Sequence, residues 1–418
     1  MSHQLSRSLT IFRGTGILLN IVIGAGLLSL PGLAIQEVGD NAFYAWLLCA
    51  AAALPLVGVF ILLARLYPNA GGIAFYAQRA FGPFGRRSTA YLMLGAVIFG
   101  LPSIALTGGH YLASVFPGDP NFYALVLMGL SGLPHLFRGE GVGRILGWMA
   151  SGVLVSIIAF LLIGIGSIDF VHTSFNLPAF DLAKALLPFP MIFFAFTGWE
   201  IGAGLGEEFI NAKRNFPIAM VLSFFIVTAL YLAIAYISSL ADLSGHYESP
   251  FIVFVRPIFG DYGAIGVALV ATLIILANLS GALWGVSRLI YSLGRDGVLS
   301  QWFSKTYYDH PLRALVATLL SLVAVLLIDK MGLLDLKLML RLAGQNFLIL
   351  YGAAALALFC VAENLVIRVV AMSVIAIVGL LLFLQGAFLL YPISLVLLAA
   401  LLEFKAAQKL GYIENISI

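Results

Sequence analysis

The sequence predicts an all-α integral membrane protein in which two of the membrane-spanning helices are broken near their middles. The composition is the first reason: 62% of the 418 residues are hydrophobic, 10% are charged, and the mean hydropathy is +1.06. Soluble domains average about 25% charged residues. The second reason is that many apolar runs reach the length of about 20 residues that a helix needs to cross a bilayer. The third is a pair of runs interrupted by glycine.

Twelve transmembrane spans are predicted. They cover residues 11–39, 42–66, 88–116, 121–137, 144–168, 185–209, 217–241, 263–293, 312–329, 333–359, 364–384 and 386–403. The last two are so close that they form either a hairpin or one long span, and a polar tail, 404–418, follows. Most of the 22 lysines and arginines lie at the N-terminus and in every second loop. This bias predicts that both termini are cytoplasmic.

The first span is interrupted at its centre by Ile23-Gly24-Ala25-Gly26, and Pro31 follows soon after. Glycine weakens a helix because it loses the most backbone entropy on ordering. Within a membrane, unpaired backbone groups are tolerated only where they meet protein or line a cavity. A ligand-binding cavity is one explanation, and close helix packing on small residues is the other.

The sixth span has a similar interruption near Phe196-Thr197-Gly198-Trp199-Glu200. Two broken helices at corresponding positions of two halves indicate a transporter site near the bilayer midplane. A half-helix that starts at Gly24-Ala25-Gly26 presents amides and partial positive charge to a carboxylate. Carbonyls at the sixth-span break suit an ammonium group. The two breaks together predict a site for an α-amino acid.

Five stretches carry a resemblance to a known family. They are IVIGAGLLSLPG (21–32), RLYPNAGGIAFYAQRAFGP (65–83), FFAFTGWE (193–200), GEEFINAKRNFPIAM (206–220) and GALWGVSRLIYSLGRDGVLS (281–300). In this order they resemble the amino acid–polyamine–organocation transporter family. Within it, the chain is most similar to bacterial exporters of methionine and branched-chain amino acids, a likeness that includes Gly100-Leu101-Pro102.

The resemblance implies one transmembrane domain, 1–418, with a LeuT-like fold. In that fold two inverted five-helix repeats, about 11–168 and 185–359, precede two trailing helices within 364–403. Helices 1 and 6 are the discontinuous ones. The implied substrate-binding residues are Ile23, Gly24, Ala25 and Gly26 for the carboxylate, the carbonyls of Phe194, Ala195 and Phe196 for the ammonium, Gly198 within the second break, and Gly100, Leu101, Ala105 and Trp284 around the side chain. Phe194 is either an aromatic lid or a packed bundle residue.

Four polar residues are candidates for coupling or gating. Glu200 directly follows the sixth-span break, where it could carry a proton or form a structural hydrogen bond to unwound backbone. Arg341 could gate the outer pathway, pair with an acidic group, or extend to the membrane interface. Asn278 and Ser280 could serve sodium coupling or hold two helices together. The coupling ion is predicted to be H+, with Na+ as the alternative.

The predicted function is secondary active transport of neutral, apolar L-amino acids (methionine, leucine, isoleucine and valine). The predicted direction is export, by alternating access across a bacterial inner membrane. A sodium-coupled or exchange-type importer and a non-transporting sensor are the alternatives. No nucleophile–base or metal-ligand set is seen in the spans, so we expect no enzyme activity, metal or cofactor. Dispersed basic residues argue against a nucleic-acid partner. The oligomeric state stays open.

Overall fold

The computed structural model describes residues 9–23, 25–67, 72–136, 155, 158–159, 161–166, 179–295, 297–306 and 311–409. These residues are helical apart from short connections and one isolated parallel bridge between Leu9 and Phe209. Within this part of the chain, eight helices are long and apolar enough to cross a membrane. The predicted all-α membrane class is therefore confirmed.

The helices run in sequence order, with short 3-10 turns between several of them. They are α1 (Ile11–Val22), α2 (Leu30–Val38), α3 (Ala42–Leu66), α4 (Gly72–Ala113), α5 (Pro120–Gly132), α6 (Leu182–Leu186), α7 (Phe189–Phe193), α8 (Trp199–Gly202), α9 (Ala212–Ser239), α10 (Pro250–Arg295), α11 (Leu312–Lys330), α12 (Leu336–Val361), α13 (Leu365–Phe383) and α14 (Leu390–Lys409). The predicted spans 42–66, 312–329 and 364–384 match α3, α11 and α13 closely.

Side-chain oxygens begin several of these helices by accepting hydrogen bonds from otherwise unpaired amides. Asp119 accepts from Asn121 N at 3.1 Å, Asp335 from Leu338 N at 2.7 Å and Asn364 from Val366 N at 2.8 Å. These caps explain why the helices after short loops start where they do.

A short helix precedes each of the predicted third and eighth spans. Both α4 and α10 start with about ten additional residues and then turn at a glycine with left-handed φ: Gly82 (φ 65°, ψ −154°) and Gly260 (φ 62°, ψ −157°). The local sequences also match, since Phe81-Gly82-Pro83-Phe84-Gly85 corresponds to Phe259-Gly260-Asp261-Tyr262-Gly263. A Cβ added at the last glycine of either stretch would lie 2.8 Å or 2.4 Å from the phenylalanine Cβ. Glycine is therefore required at both corners.

The remaining spans differ from prediction in smaller ways. The fourth consists of α5 and a 3-10 turn over Leu133–Leu136. The fifth, 144–168, lies largely outside the described residues, although 161–166 is helical. The last two spans are separate helices joined through Gly386 (φ 57°). Helix α14 continues to Lys409, so the first residues of the predicted polar tail, 404–418, are helical.

Helix α12 packs against α4, α7 and α13, whereas α1 packs against α9. The contact between α12 and α7 is very close: a Cβ added at Gly344 would lie 1.7 Å from the Pro190 carbonyl oxygen. Small residues allow helices to approach in this way in a membrane, where van der Waals packing drives association. The packing brings the two interrupted spans against α4 and α12.

Main-chain hydrogen bonds join the start of the described chain to the segment after the sixth-span break. Leu9 N donates to Glu208 O at 3.0 Å, and Ile210 N donates to Leu9 O at 2.9 Å. The segment before α1 is thereby tied to the segment before α9.

Candidate functional site

The first break is a real interruption of the helix. Helix α1 ends at Val22, and Ile23 N still donates to Leu19 O at 2.8 Å. The chain then forms a 3-10 turn over Ala25–Leu28 before α2 begins. Gly24, predicted as a substrate contact, lies outside the described residues. Within the described part of the chain, no group accepts a hydrogen bond from the amides of Ala25 or Gly26.

Helix α4 holds the far side of this break. Tyr111 Oη donates to Leu28 O at 2.8 Å, and Ser29 Oγ lies 3.1 Å from Thr107 Oγ1. Ser29, Thr107 and Tyr111 are all buried. These contacts fix the end of the 3-10 turn.

The sixth-span break has the opposite polarity. Helix α7 ends at Phe193, a 3-10 turn covers Phe194–Phe196, and α8 starts after Gly198, whose φ of 108° is left-handed. Phe194 O accepts from Thr197 Oγ1 at 2.8 Å. No described group donates to the Phe196 carbonyl. The break therefore presents an acceptor where the first break presents donors.

The two breaks touch each other. A Cβ added at Gly198 would lie 3.2 Å from Ile21 O and 3.4 Å from Val22 Cα. Tyr231 of α9 reaches both, because its hydroxyl lies 3.0 Å from Val22 O and 3.1 Å from Ala195 O. The structure thus brings the predicted carboxylate and ammonium sites into one region.

The Phe194 ring lies between two predicted pocket glycines. A Cβ at Gly26 would lie 3.5 Å from Phe194 Cδ1, and a Cβ at Gly100 would lie 3.0 Å from Phe194 Cε2. Ala343 and Phe347 of α12 complete this group: the Ala343 Cβ is 3.6 Å from the Gly100 position, and the Phe347 and Phe194 ring centroids are 6.1 Å apart. Neither α12 residue was predicted from the sequence, because neither belongs to a recognisable motif.

The other predicted pocket residues have different surroundings. Leu101 and Ala105 are buried on α4, 5% and 0% exposed. Trp284 is 47% exposed, and the Arg288 guanidinium carbon lies 3.6 Å from its ring centroid. The described contacts of Trp284 are thus on its own helix, and its role in the pocket stays a prediction.

Glu200 connects the sixth-span break to α12. Its carboxyl group is buried, and one oxygen, Oε2, accepts from Gly198 N at 2.9 Å and from Tyr351 Oη at 2.5 Å. The first contact is the structural hydrogen bond that the sequence analysis considered. Tyr351 is a partner that the sequence did not indicate.

Arg341 joins the second half of the first broken span and the start of the sixth span to α12. Its Nη2 forms an ion pair with Glu37 Oε1 of α2 and lies 3.4 Å from Leu187 O, just before α7. Its guanidinium carbon also lies 5.3 Å from the Phe388 ring centroid. The side chains of Arg341 and Glu37 are 20% and 17% exposed. Of the alternatives for Arg341, this is the arrangement in which the arginine pairs with an acidic group.

A comparison with protein families decides the class of this protein. The family model described as amino acid permease matches residues 9–404. The chain belongs to the amino acid permease family. Its helical breaks, which expose backbone donors and acceptors, accordingly belong to a transport protein of the amino acid–polyamine–organocation superfamily, as the sequence resemblance implied.

Individual relatives are distant permeases. The chain is 27% identical over 359 residues to the uncharacterized amino acid permease YecA of Bacillus subtilis, covering 83% of this chain and 82% of YecA. It is 28% identical over 230 residues to the L-methionine/branched-chain amino acid exporter YjeH of Escherichia coli, covering 54% of this chain and 55% of YjeH. It is 25% identical to the Escherichia coli cadaverine/lysine antiporter over 311 residues, 70% of this chain and 68% of the antiporter.

The polar pair on the eighth span of this permease is partly engaged in packing. Ser280 Oγ lies 3.2 Å from His135 Nε2, and the same ring nitrogen lies 3.0 Å from Ser280 O. These contacts join α10 to the turn after α5, which favours the helix-packing interpretation for Ser280. Asn278 is half-buried, and sodium binding by either residue stays a prediction.

Proposed function

We propose that this permease exports neutral, apolar L-amino acids by alternating access, with proton coupling. One observation carries the proposal: in the described part of the chain, the amides of Ala25 and Gly26 and the carbonyl of Phe196 have no main-chain hydrogen bond outside their own turns. Donors at a helix N-terminus suit a carboxylate, and carbonyls suit an ammonium group. The two charged groups of an amino acid would thus satisfy backbone that is otherwise costly to leave unpaired.

The apolar surroundings of the breaks support the substrate class. Gly100, Phe194, Ala343 and Phe347 carry no ionisable side chain, so a charged substrate side chain would find no counter-ion among them. Burying a methylene is worth about 0.8 kcal/mol. Methionine, leucine, isoleucine and valine are therefore the proposed substrates, in line with the name of the exporter YjeH. The direction of transport rests on that likeness.

The two glycine corners support the repeat architecture of the proposal. Gly82 and Gly260 have nearly the same φ and ψ and occupy the same local sequence pattern. Each turns a short helix into a long span, third in the first half and eighth in the second. Two inverted five-helix repeats and two trailing helices, twelve spans in total, account for both corners. Cytoplasmic termini in a bacterial inner membrane complete this arrangement.

Arg341 is the proposed outer gate. It bonds to α2 through Glu37 and to the backbone before α7 through Leu187, so it holds the second half of the first broken span and the start of the sixth span against α12. Opening the outer pathway would separate these groups. Removing one partner of such a pair leaves the other charge poorly solvated, so the pair favours the outward-closed state.

Proton coupling is assigned to Glu200. A buried carboxyl group between the sixth-span break and Tyr351 could bind a proton in one state and release it in the other. The rival mechanism holds Na+ with first-span carbonyls and Ser280. The Ser280–His135 contact supports the proton mechanism because it occupies the hydroxyl group in helix packing.

The deciding experiment is a transport assay in proteoliposomes. Purified protein would be reconstituted with radiolabelled methionine, and each of the other amino acids would be tested as a competitor, with Na+ or choline and with or without a pH gradient. We expect competition by leucine, isoleucine and valine, and flux driven by the pH gradient in choline. Stronger competition by lysine, arginine or glutamate would overturn the substrate class. Flux that needs Na+ would support the importer alternative.

A further inference from the structure

One tyrosine contacts the carbonyl-bearing ends of both half-helices. The Tyr231 hydroxyl lies 3.0 Å from the carbonyl oxygen of Val22, the last residue of α1. It also lies 3.1 Å from the carbonyl oxygen of Ala195, in the turn that follows α7. The tyrosine is fully buried. A single hydroxyl group therefore lies where the ends of the two broken helices converge.

This convergence is electrostatically unfavourable without a donor. The last carbonyls of a helix lack intrahelical partners, and the C-terminal end carries partial negative charge, equivalent to about half a charge. Two such ends directed at one point repel each other in a medium of low dielectric constant. Either a cation or a hydrogen-bond donor can relieve the repulsion.

The donor is held rigidly in place. The Tyr231 ring packs edge-on against Trp46, with centroids 5.7 Å apart, and against Phe196, with centroids 5.2 Å apart. Trp46 and Phe196 are themselves fully buried. Because these close-packed neighbours leave the ring no room to shift sideways, the hydroxyl stays between the two carbonyls.

We propose that Tyr231 is a positioning residue that takes the place of a cation between the two breaks. Its single hydroxyl proton is shared between the carbonyls of Val22 and Ala195 and fixes the distance between the carboxylate and ammonium sites. The junction therefore needs no bound Na+. The inference rests on the proposed transport function, because the junction matters only if the breaks hold substrate.

Tyr231→Phe tests this inference because it keeps the ring and removes the hydroxyl. For this variant in choline, we expect the KM for methionine to rise and the Vmax to fall. Vmax/KM should fall at least about tenfold, because two buried carbonyl oxygens lose their hydrogen-bond donor. Added Na+ or Li+ should then restore part of the loss in a saturable manner. Tyr262→Phe, at a tyrosine that is 90% exposed, is the control and should keep wild-type kinetics.

A second measurement keeps this test separate from the proposed function. The melting temperature of purified protein would be compared in NaCl and choline chloride. We expect Na+ to stabilise Tyr231→Phe more than wild type, whether or not methionine is transported. If the wild-type protein transports no amino acid, the proposed function is wrong. The difference in melting temperature between NaCl and choline chloride still tests the role of Tyr231 in that case.

Two results would overturn the inference. One is wild-type kinetics and melting for Tyr231→Phe, which would mean that the hydroxyl is dispensable. The other is a loss of transport and stability that no monovalent cation relieves, which would mean a purely structural role. If Tyr231→Phe does not yield monodisperse protein, Tyr231→Met fills a similar apolar volume without a donor and is judged by the same cation dependence.

Discussion

Gly100 of α4 lies so close to the Phe194 ring that a Cβ at Gly100 would be 3.0 Å from Phe194 Cε2. That distance is shorter than nine in ten real Cβ contacts, so a side chain at position 100 would push the ring aside by a few tenths of an ångström. The position of the proposed lid over the substrate is thus set by a residue on another helix.

The first prediction follows from this contact. Gly100→Ala should displace the Phe194 ring into the pocket and weaken transport of methionine and leucine by roughly tenfold relative to alanine, a smaller substrate. In the double variant, Phe194→Leu should restore much of the lost preference for methionine and leucine over alanine, because the smaller side chain relieves the clash. Competition assays with the two single variants and the double variant measure the coupling. Additive effects of the two substitutions would contradict the contact.

A second prediction concerns the amides of the first break. Gly26→Val should abolish methionine binding to purified protein, because a branched side chain blocks the approach of a carboxylate to the backbone. The Cβ alone would lie 3.2 Å from Leu30 Cδ1 and 3.5 Å from Phe194 Cδ1. Gly58→Val is the control, since a Cβ at Gly58 meets nothing within 4 Å. Unchanged calorimetric binding in a folded Gly26→Val protein would disprove the site.

The third prediction concerns the outer gate. Arg341→Gln should increase the rate at which an impermeant thiol reagent, added from outside, modifies a cysteine introduced at Ala343, with Cys49 and Cys360 replaced by alanine. If the substitution shifts the equilibrium from the outward-closed to the outward-open state by about 1.4 kcal/mol, the labelling rate rises tenfold. The charge-reversed pair Glu37→Arg with Arg341→Glu should restore slow modification.

The exposed ion pair of Arg256 with Asp261 supplies the control for the gate. Its atoms are 3.3 Å apart, and its side chains are 41% and 87% exposed. Exposed pairs contribute little, so Asp261→Asn should not change the labelling rate. Equal labelling in Arg341→Gln and wild type would remove Arg341 from the gate.

The fourth prediction concerns coupling. Glu200→Gln should abolish flux driven by a pH gradient while preserving exchange of methionine across the membrane, because the amide cannot carry the proton yet still fits beside Tyr351. Glu363→Gln, at an exposed carboxylate, is the control. Under the sodium mechanism, Ser280→Ala would instead remove a saturable Na+ dependence. Flux that follows the pH gradient normally in Glu200→Gln would refute the assignment.

The fifth prediction concerns stability rather than transport. Gly344→Ala should lower the melting temperature of the detergent-solubilised protein, because the new methyl group would collide with the Pro190 carbonyl. Overpacking of this kind costs about 1–3 kcal/mol. Gly379→Ala on α13, where a Cβ meets nothing within 4 Å, should have no such effect. Equal melting temperatures would mean that α7 moves freely relative to α12.

The breaks could be predicted from sequence because glycine marks them. The predicted interruptions at Ile23–Gly26 and Phe196–Glu200 lie where α1 ends and α8 begins. The corner helices before Gly82 and Gly260 were missed, because charged residues and glycine near a helix end look like a loop.

Contacts between spans were harder to predict. Phe347 and Tyr231 lie on helices that are apolar on most sides, so the sequence does not reveal which face meets the breaks. The partner of Arg341 lies 304 residues away along the chain. Only the folded arrangement of α2 and α12 brings Glu37 to it.

The main-chain pairing of Leu9 has a practical consequence for recombinant work. An affinity tag or reporter fused just before Leu9 would pull on a backbone that is hydrogen-bonded to Glu208 and Ile210, and so on the segment that follows the sixth-span break. Purification handles and fluorophores are therefore better attached after Lys409, where helix α14 ends. Kinetic constants obtained with tags at the two ends would reveal the size of this disturbance.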